Sequence, residues 1–193
     1  SSSDVVIDFH SSNLQLFEIP QIRIIKDFEQ KLVPLAKKCN VDLIWVHPNA
    51  EIFASTLGFN LNSAKIPTLV IETGVCLRIH PEKGDQIFNG LLNLLNDMGT
   101  LQIVSEPVKE PYLVQPDQVK MVQAQHSGLF IKQVEAGNFL EKGEIIGKLI
   151  DPIEGSILKE IVSPCFGLLF TIREHPLVHK GSPLARIAEL EEK

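Results

Sequence analysis

The feature that most constrains the fold is an internal repeat in the last third of the chain. Residues 127–151 read SGLFIKQVEAGNFLEKGEIIGKLID, and residues 166–190 read FGLLFTIREHPLVHKGSPLARIAEL. Gly128 matches Gly167, Lys142-Gly143 matches Lys180-Gly181, and Ile146 and Leu149 match Leu184 and Ile187. The period is about 38–39 residues. Both copies consist of short alternating segments separated by Gly and Pro, with no run of helical period. Such a pattern specifies an all-β module over residues 119–193, built from two like halves that each turn at a Lys-Gly pair.

Two halves of this kind resemble the barrel-sandwich hybrid of lipoyl and biotinyl domains. A carrier of that type needs a lysine at the tip of the hairpin joining its halves. The tip here is DPIEGSIL (151–158), and the residue at the carrier position is Ser156, with Lys159 three residues further on. The fold resemblance comes without the carrier chemistry, so the module reads better as a fixed lid or spacer than as a cofactor arm.

The first hundred residues follow a different pattern. VVIDF (5–9), VDLIWV (41–46) and PTLVIET (67–73) are apolar runs of strand length. QIRIIKDFEQKLVPLAKKC (21–39) has apolar residues at helical spacing and ends in Lys37 and Lys38, which suit a helix C-terminus; Pro34 is a candidate kink. PEKGDQIFNGLLNLLNDMG (81–99) predicts a helix with Pro81 near its start and Gly99 past its end. Strands alternating with helices imply an α/β layer on a mainly parallel sheet. SEPVKEPYLVQPDQ (105–118) carries three prolines and few core residues. The expected organisation is therefore a partial α/β domain over 1–104, a linker over 105–118 and the β domain over 119–193.

Bulk composition narrows the function classes. A net charge of -6, with no basic stripe, argues against nucleic acid as the main partner. No apolar stretch approaches the roughly 20 residues of a membrane-spanning helix, so no membrane association is expected. Cys39, Cys76 and Cys165 are three in number, far apart and without a C-x-x-C pair. They read as reduced thiols of a cytoplasmic protein.

Three residues stand out as candidates for chemistry. Asp8 and His10 lie two apart on a strand and so share a face, with Phe9 expected opposite them in the core. An imidazole beside a carboxylate at a strand end is either a metal site or a satisfied structural histidine. Glu72 is the lone acid closing an apolar strand. It belongs either at a solvated strand end or in a cleft as a general base. Weaker candidates are His175 and His179, whose spacing spans a turn; His47 and His80, read as loop residues before prolines; and Cys76, read as a small buried thiol. Neither a Gly-rich phosphate loop nor a G-x-S-x-G elbow occurs.

In combination, VVIDFHSS, IPTLVIETG some sixty residues later, a long helix, a Pro-rich segment and HSGLFIKQVEAGNFLEKGEIIGKLID resemble the succinylglutamate desuccinylase/aspartoacylase family over nearly the whole chain. The resemblance implies a zinc-carboxypeptidase-like α/β domain with an appended β domain, and zinc-dependent hydrolysis of a small-molecule N-acyl amino acid or similar amide. On the family's D-L-H strand end, His10 takes the place of the third zinc ligand, with Phe9 for Leu. On its T-x-x-x-E-x-G strand, Glu72 takes the place of the general base, with Thr68 and Gly74 also matching. Asp8 falls in a supporting position.

The match departs from the family in one respect. The first two zinc ligands should come from H-x-x-E upstream of the D-L-H strand, and none of the six histidines begins such a motif. The Asn-Arg pair expected for a substrate carboxylate is absent as well. Three accounts stand open: a C-terminal fragment whose two further ligands lie upstream, which the opening on a strand expected to be central favours; a chain paired with another that completes the site; or a non-catalytic relative or partner-binding module that keeps the scaffold. One ligand cannot hold zinc as three do, so this chain alone is expected to be inactive. Oligomer formation stays open.

Overall fold

The computed structural model describes residues 3–48, 51–104 and 106–191. In chain order, β1 is Val6–His10, β2 Leu16–Ile25, α1 Glu29–Ala36, β3 Leu43–His47, α2 Leu57–Ser63, β4 Thr68–Gly74 and α3 Pro81–Asp97. Then come β5 Tyr112–Val114, β6 Val119–Gln123, β7 Gly128–Lys132, β8 Phe139–Leu140, β9 Ile145–Ile150, β10 Ile157–Val162, β11 Gly167–Arg173, β12 Leu177–Val178 and β13 Pro183–Glu189. The chain divides into two compact units, and it passes between them more than once. The first unit holds residues 1–11, 20–73 and 79–116; the second holds 12–19, 74–78 and 117–193.

In the first unit the strands lie in the order β1-β4-β2-β3-β5. The β1–β4, β2–β3 and β3–β5 pairs are parallel. Both faces of β3 are covered, as its run of buried residues Leu43–Val46 requires of a parallel strand. The apolar face carries Ile22, Ile24, Ile44, Leu69 and Ile71, and forms one core with Leu32 and Ala36 of α1 and Ile87 and Leu94 of α3. The helix α3 begins at Pro81 and is followed by Gly99 at φ +72, the backbone that closes a helix without a Cβ penalty. It lies so close to the turn after α1 that a Cβ on Gly90 would stand 1.9 Å from the Cys39 carbonyl oxygen. Asn40 holds this corner with φ 52. It exchanges hydrogen bonds with Gln86, at 3.0 and 2.8 Å, and accepts one from the Lys109 amide at 3.0 Å.

Three expectations are corrected here. Residues 21–25, given helical spacing above, are the second half of β2, and the helix starts only at Glu29. A run of apolar residues this short fits both periods, and parallel pairing with β3 selects the strand. Phe9 is 53% exposed, not buried in the core. The reason lies in β1, which is the end strand among the described residues and pairs with β4 alone. Within 105–118, Tyr112–Val114 forms β5 on the edge of β3.

In the second unit, the start of β2 pairs antiparallel with β11, followed by β13 and β6, with β8 also on β11. A separate antiparallel sheet has the order β10-β9-β7-β12. The two repeats exchange strands reciprocally: β8 of the first pairs with β11 of the second, placing Leu140 opposite Gly167, and β12 of the second pairs with β7 of the first, placing Val178 opposite Gly128. Both Lys-Gly turns use left-handed glycines, Gly143 at φ +87 and Gly181 at φ +86. Leu140, Ile146, Leu149, Leu169, Val178, Leu184 and Ile187 form the shared core. The described pairings close neither sheet into a barrel. At the hairpin tip, Asp151 accepts hydrogen bonds from the amides of Ile153 and Glu154, and these hold its carboxyl below the ordinary range.

Candidate functional site

The candidate residues of the first unit come from the C-terminal ends of adjacent strands, where open α/β sheets place their ligands. The parallel register of β1 and β4 sets His10 directly opposite Glu72. The two-residue spacing of Asp8 and His10 turns both onto the same face as Glu72. His10 Nε2 lies 3.0 Å from Asp8 Oδ2, and His10 Nδ1 lies 3.7 Å from Glu72 Oε1. The imidazole therefore stands between two carboxylates, half-exposed, while Glu72 is buried, only 8% exposed.

A buried carboxylate needs compensation. Arg23 of β2 provides it, with its Nη1 3.3 Å from the same Glu72 Oε1. The guanidinium also lies over the Trp45 ring, 5.7 Å from its centroid. Trp45 is opposite Arg23 in the β2–β3 register, and its ring is 4.7 Å from that of His47. Asp8, His10, Glu72 and Arg23 thus form a row of alternating acid and base across three neighbouring strands.

A pocket of about 400 Å³ opens on this row. Its other wall comes from residues 53–62. Thr56 caps α2, accepting a hydrogen bond from the Phe59 amide at 3.3 Å. Asn62 ties α2 to β4: its Nδ2 donates to Gly58 and Thr68 carbonyls at 2.8 and 2.9 Å, and its Oδ1 accepts from the Thr68 amide at 2.9 Å. Gly58 allows the close approach, since a Cβ there would be 2.8 Å from Val70 Cγ2. Thr68 is buried and bonded to the Ile66 carbonyl, so its place is structural.

Arg23 was not singled out from the sequence, and His47 was placed in a loop. An arginine inside the run QIRII is the signal for Arg23, because a charge in a buried strand must have a partner. His47, read above as a loop residue, is the last residue of β3 and lines the pocket, with Phe53 edge-on at 4.8 Å. Cys76, expected as a buried thiol, is only half-buried, its Sγ 3.5 Å from the Ser12 carbonyl. Burial pushes the Cys39 thiol up to about 12, which leaves it an inert core group.

Among the described residues, no group of three or more His, Cys, Asp or Glu side chains is placed to hold a metal ion. This applies to the His175/His179 pair and to the Asp8–His10–Glu72 row alike. His10 offers one imidazole donor, and Arg23 brings a cation onto the neighbouring carboxylate. The described residues thus fit one ligand position and do not make a complete metal centre. No helix of the described residues is long and apolar enough to cross a membrane.

No family model matches the sequence, and no curated protein does either. Solved structures do resemble the fold. The product-bound ectoine utilization protein EutE of Ruegeria pomeroyi matches with a TM-score of 0.81 at 18% identity, over 97% of this chain and 58% of that one. A succinylglutamate desuccinylase/aspartoacylase from Rhodobacter sphaeroides gives a TM-score of 0.79 at 19% identity, covering 98% and 59%. An aspartoacylase family protein from Mesorhizobium loti gives 0.73 at 18% identity, covering 98% and 58%. The chain spans less than two thirds of the length of each. At these identities the likeness concerns architecture: this chain has the fold of succinylglutamate desuccinylase/aspartoacylase proteins over about 58% of their length.

Proposed function

We propose that the chain is the C-terminal part of a deacylase that hydrolyses the amide of a small N-acyl amino acid or a similar compound. The observation that carries this reading is the Asp8–His10–Glu72–Arg23 row at the strand ends, beside a pocket of ligand size, in a fold shared with desuccinylase and aspartoacylase proteins. In this reading Glu72 is the proton carrier. It takes a proton from the attacking water and delivers it to the departing amine nitrogen. Arg23 balances the Glu72 charge and fixes the position of Oε1. Asp8 orients the His10 ring through Nε2.

Zinc is the cofactor proposed for the whole protein, with His10 as one ligand and two further ligands from outside the present sequence. Bound zinc would supply a water of lowered pKa and polarise the amide carbonyl. The appended β unit is proposed to have a barrel-sandwich-like architecture without a carrier function, and the protein is proposed to act in the cytoplasm.

The test is metal analysis and turnover of the natural full-length protein beside its Glu72→Gln variant. Zinc in both and a loss of at least 100-fold in kcat in the variant is the expected result, in line with general acid–base contributions of about 10²–10⁴. A variant as active as the parent would remove Glu72 from this role.

A further inference from the structure

Glu72, Arg23 and Trp45 stand on three neighbouring strands in the order β4-β2-β3, with Arg23 in the middle. On one side the Arg23 Nη1 lies 3.3 Å from Glu72 Oε1, longer than the roughly 2.7–2.9 Å of a tight charge-assisted hydrogen bond. A contact of that length does not by itself fix the guanidinium. On the other side the guanidinium carbon stands over the Trp45 ring, 5.7 Å from its centroid. That is within the roughly 6 Å at which the negative face of an indole holds a cation.

The backbone puts the ring there. Arg23 and Trp45 are register partners in the parallel β2–β3 pair, and paired strands lie about 4.8 Å apart. Trp45 is 8% exposed, and its ring is 4.7 Å from that of His47, which in turn meets Phe53 edge-on at 4.8 Å. A nearly buried indole with a second ring against it has little room to swing. Every contact in this set joins side chains of the present chain, and both Glu72 and Trp45 are buried within it. The arrangement is therefore made by residues of this sequence and draws on no other part of the site.

We propose that Trp45 is a positioning residue: through the face of its ring it holds the Arg23 guanidinium against Glu72, and so fixes the place of Oε1. An indole has no group that titrates in the working range, so Trp45 acts only through Arg23. The consequence for turnover rests on the deacylase reading, in which Glu72 carries the proton. A proton carrier works from a narrow range of positions, and a displacement of about 1 Å costs on the order of 100-fold in rate.

The test replaces Trp45 site-specifically, in the natural full-length protein, with a series of increasingly fluorinated tryptophans. Fluorine nearly preserves the shape of the ring and drains the negative charge from its face, so a role in packing alone is left in place. Two quantities are followed along the series. One is the loss of folding equilibrium constant caused by Arg23→Met, read by urea unfolding as a double-mutant cycle. The other is kcat beside KM. Both the Arg23→Met effect and kcat are expected to shrink step by step, each by about fivefold at the end of the series, with KM constant to about twofold. Trp45→Phe, which keeps an aromatic face, is expected to retain more kcat than Trp45→Leu. An Arg23→Met effect that stays flat along the series would overturn the inference. A kcat that stays flat while that effect shrinks would overturn the positioning role. Glu72→Gln tests the deacylase reading separately. If it abolishes turnover while the fluorinated series is flat, the role of Trp45 alone fails. If it leaves turnover intact, the deacylase reading fails, and the unfolding cycle still decides whether Trp45 holds Arg23.

Discussion

Glu72 closes an apolar strand, and in the folded chain one of its carboxylate oxygens, Oε1, is approached by both Arg23 and His10. Spacing alone puts Asp8 and His10 on one face. It does not say which residue compensates Glu72, because Arg23 is 49 positions away and reaches it only through the strand order β4-β2. Replacing Arg23 with Met removes the guanidinium and leaves a nearly buried carboxylate short of a charged donor. The expected cost is about 1–3 kcal/mol of stability, measured by urea unfolding. The same substitution in a Glu72→Gln background should cost clearly less, because the charge that needed compensation is gone. Equal losses in both backgrounds would show that the pair contributes nothing.

At the scale of elements, close approach decides what fits. The helix α3 packs against the α1–β3 corner through Gly90, where no Cβ can be accommodated beside the Cys39 carbonyl. Alanine is the better helix former in isolation, by about 1 kcal/mol, yet Gly90→Ala is expected to destabilise the protein by about 3 kcal/mol through overpacking. A variant with an unchanged or raised midpoint of thermal unfolding would contradict the packing described. The boundary of α1 carries a related lesson. Helical spacing in residues 21–39 was legible and correct from Glu29 onward, while Gln21–Ile25 obeyed the sheet. The segment 53–62, which forms the second wall of the pocket, carries no strong period. Its position depends on the Thr56 cap and the Asn62 bonds to β4, and these emerge only once β4 is in place.

For the whole molecule, the division into units does not follow a single cut in the sequence. The second unit recruits residues 12–19, and with them Glu18, which is fully buried. Glu18 Oε1 lies 2.7 Å from Arg186 Nη1 and accepts from Thr171 Oγ1 at 3.4 Å. Residues 117–193 expressed alone would lose this acid and the strand that carries it. Breaking a buried ion pair by removing one partner costs about 3–5 kcal/mol. The fragment is therefore expected to unfold at markedly lower urea than the second unit does within the whole chain. A synthetic peptide of residues 12–20 should raise its midpoint in proportion to RT ln(1 + [L]/Kd). A fragment as stable as the second unit in the intact chain, and indifferent to the peptide, would refute the recruitment.

What the sequence by itself determined is local or periodic. The α/β alternation of the first hundred residues, the shared face of Asp8 and His10, the turns at the two Lys-Gly pairs and the all-β character of the last third all follow from backbone geometry within a few residues. The tertiary structure decided everything that needs two distant segments in register. It exposed Phe9 on an end strand, turned Gln21–Ile25 into strand, set His10 opposite Glu72, supplied Arg23, and closed an apolar wall over the row with α2. The physical reason is the same in each case. Side-chain period is written in the chain, whereas the partner across a sheet is chosen by which pairing buries the most apolar surface while leaving no charge uncompensated.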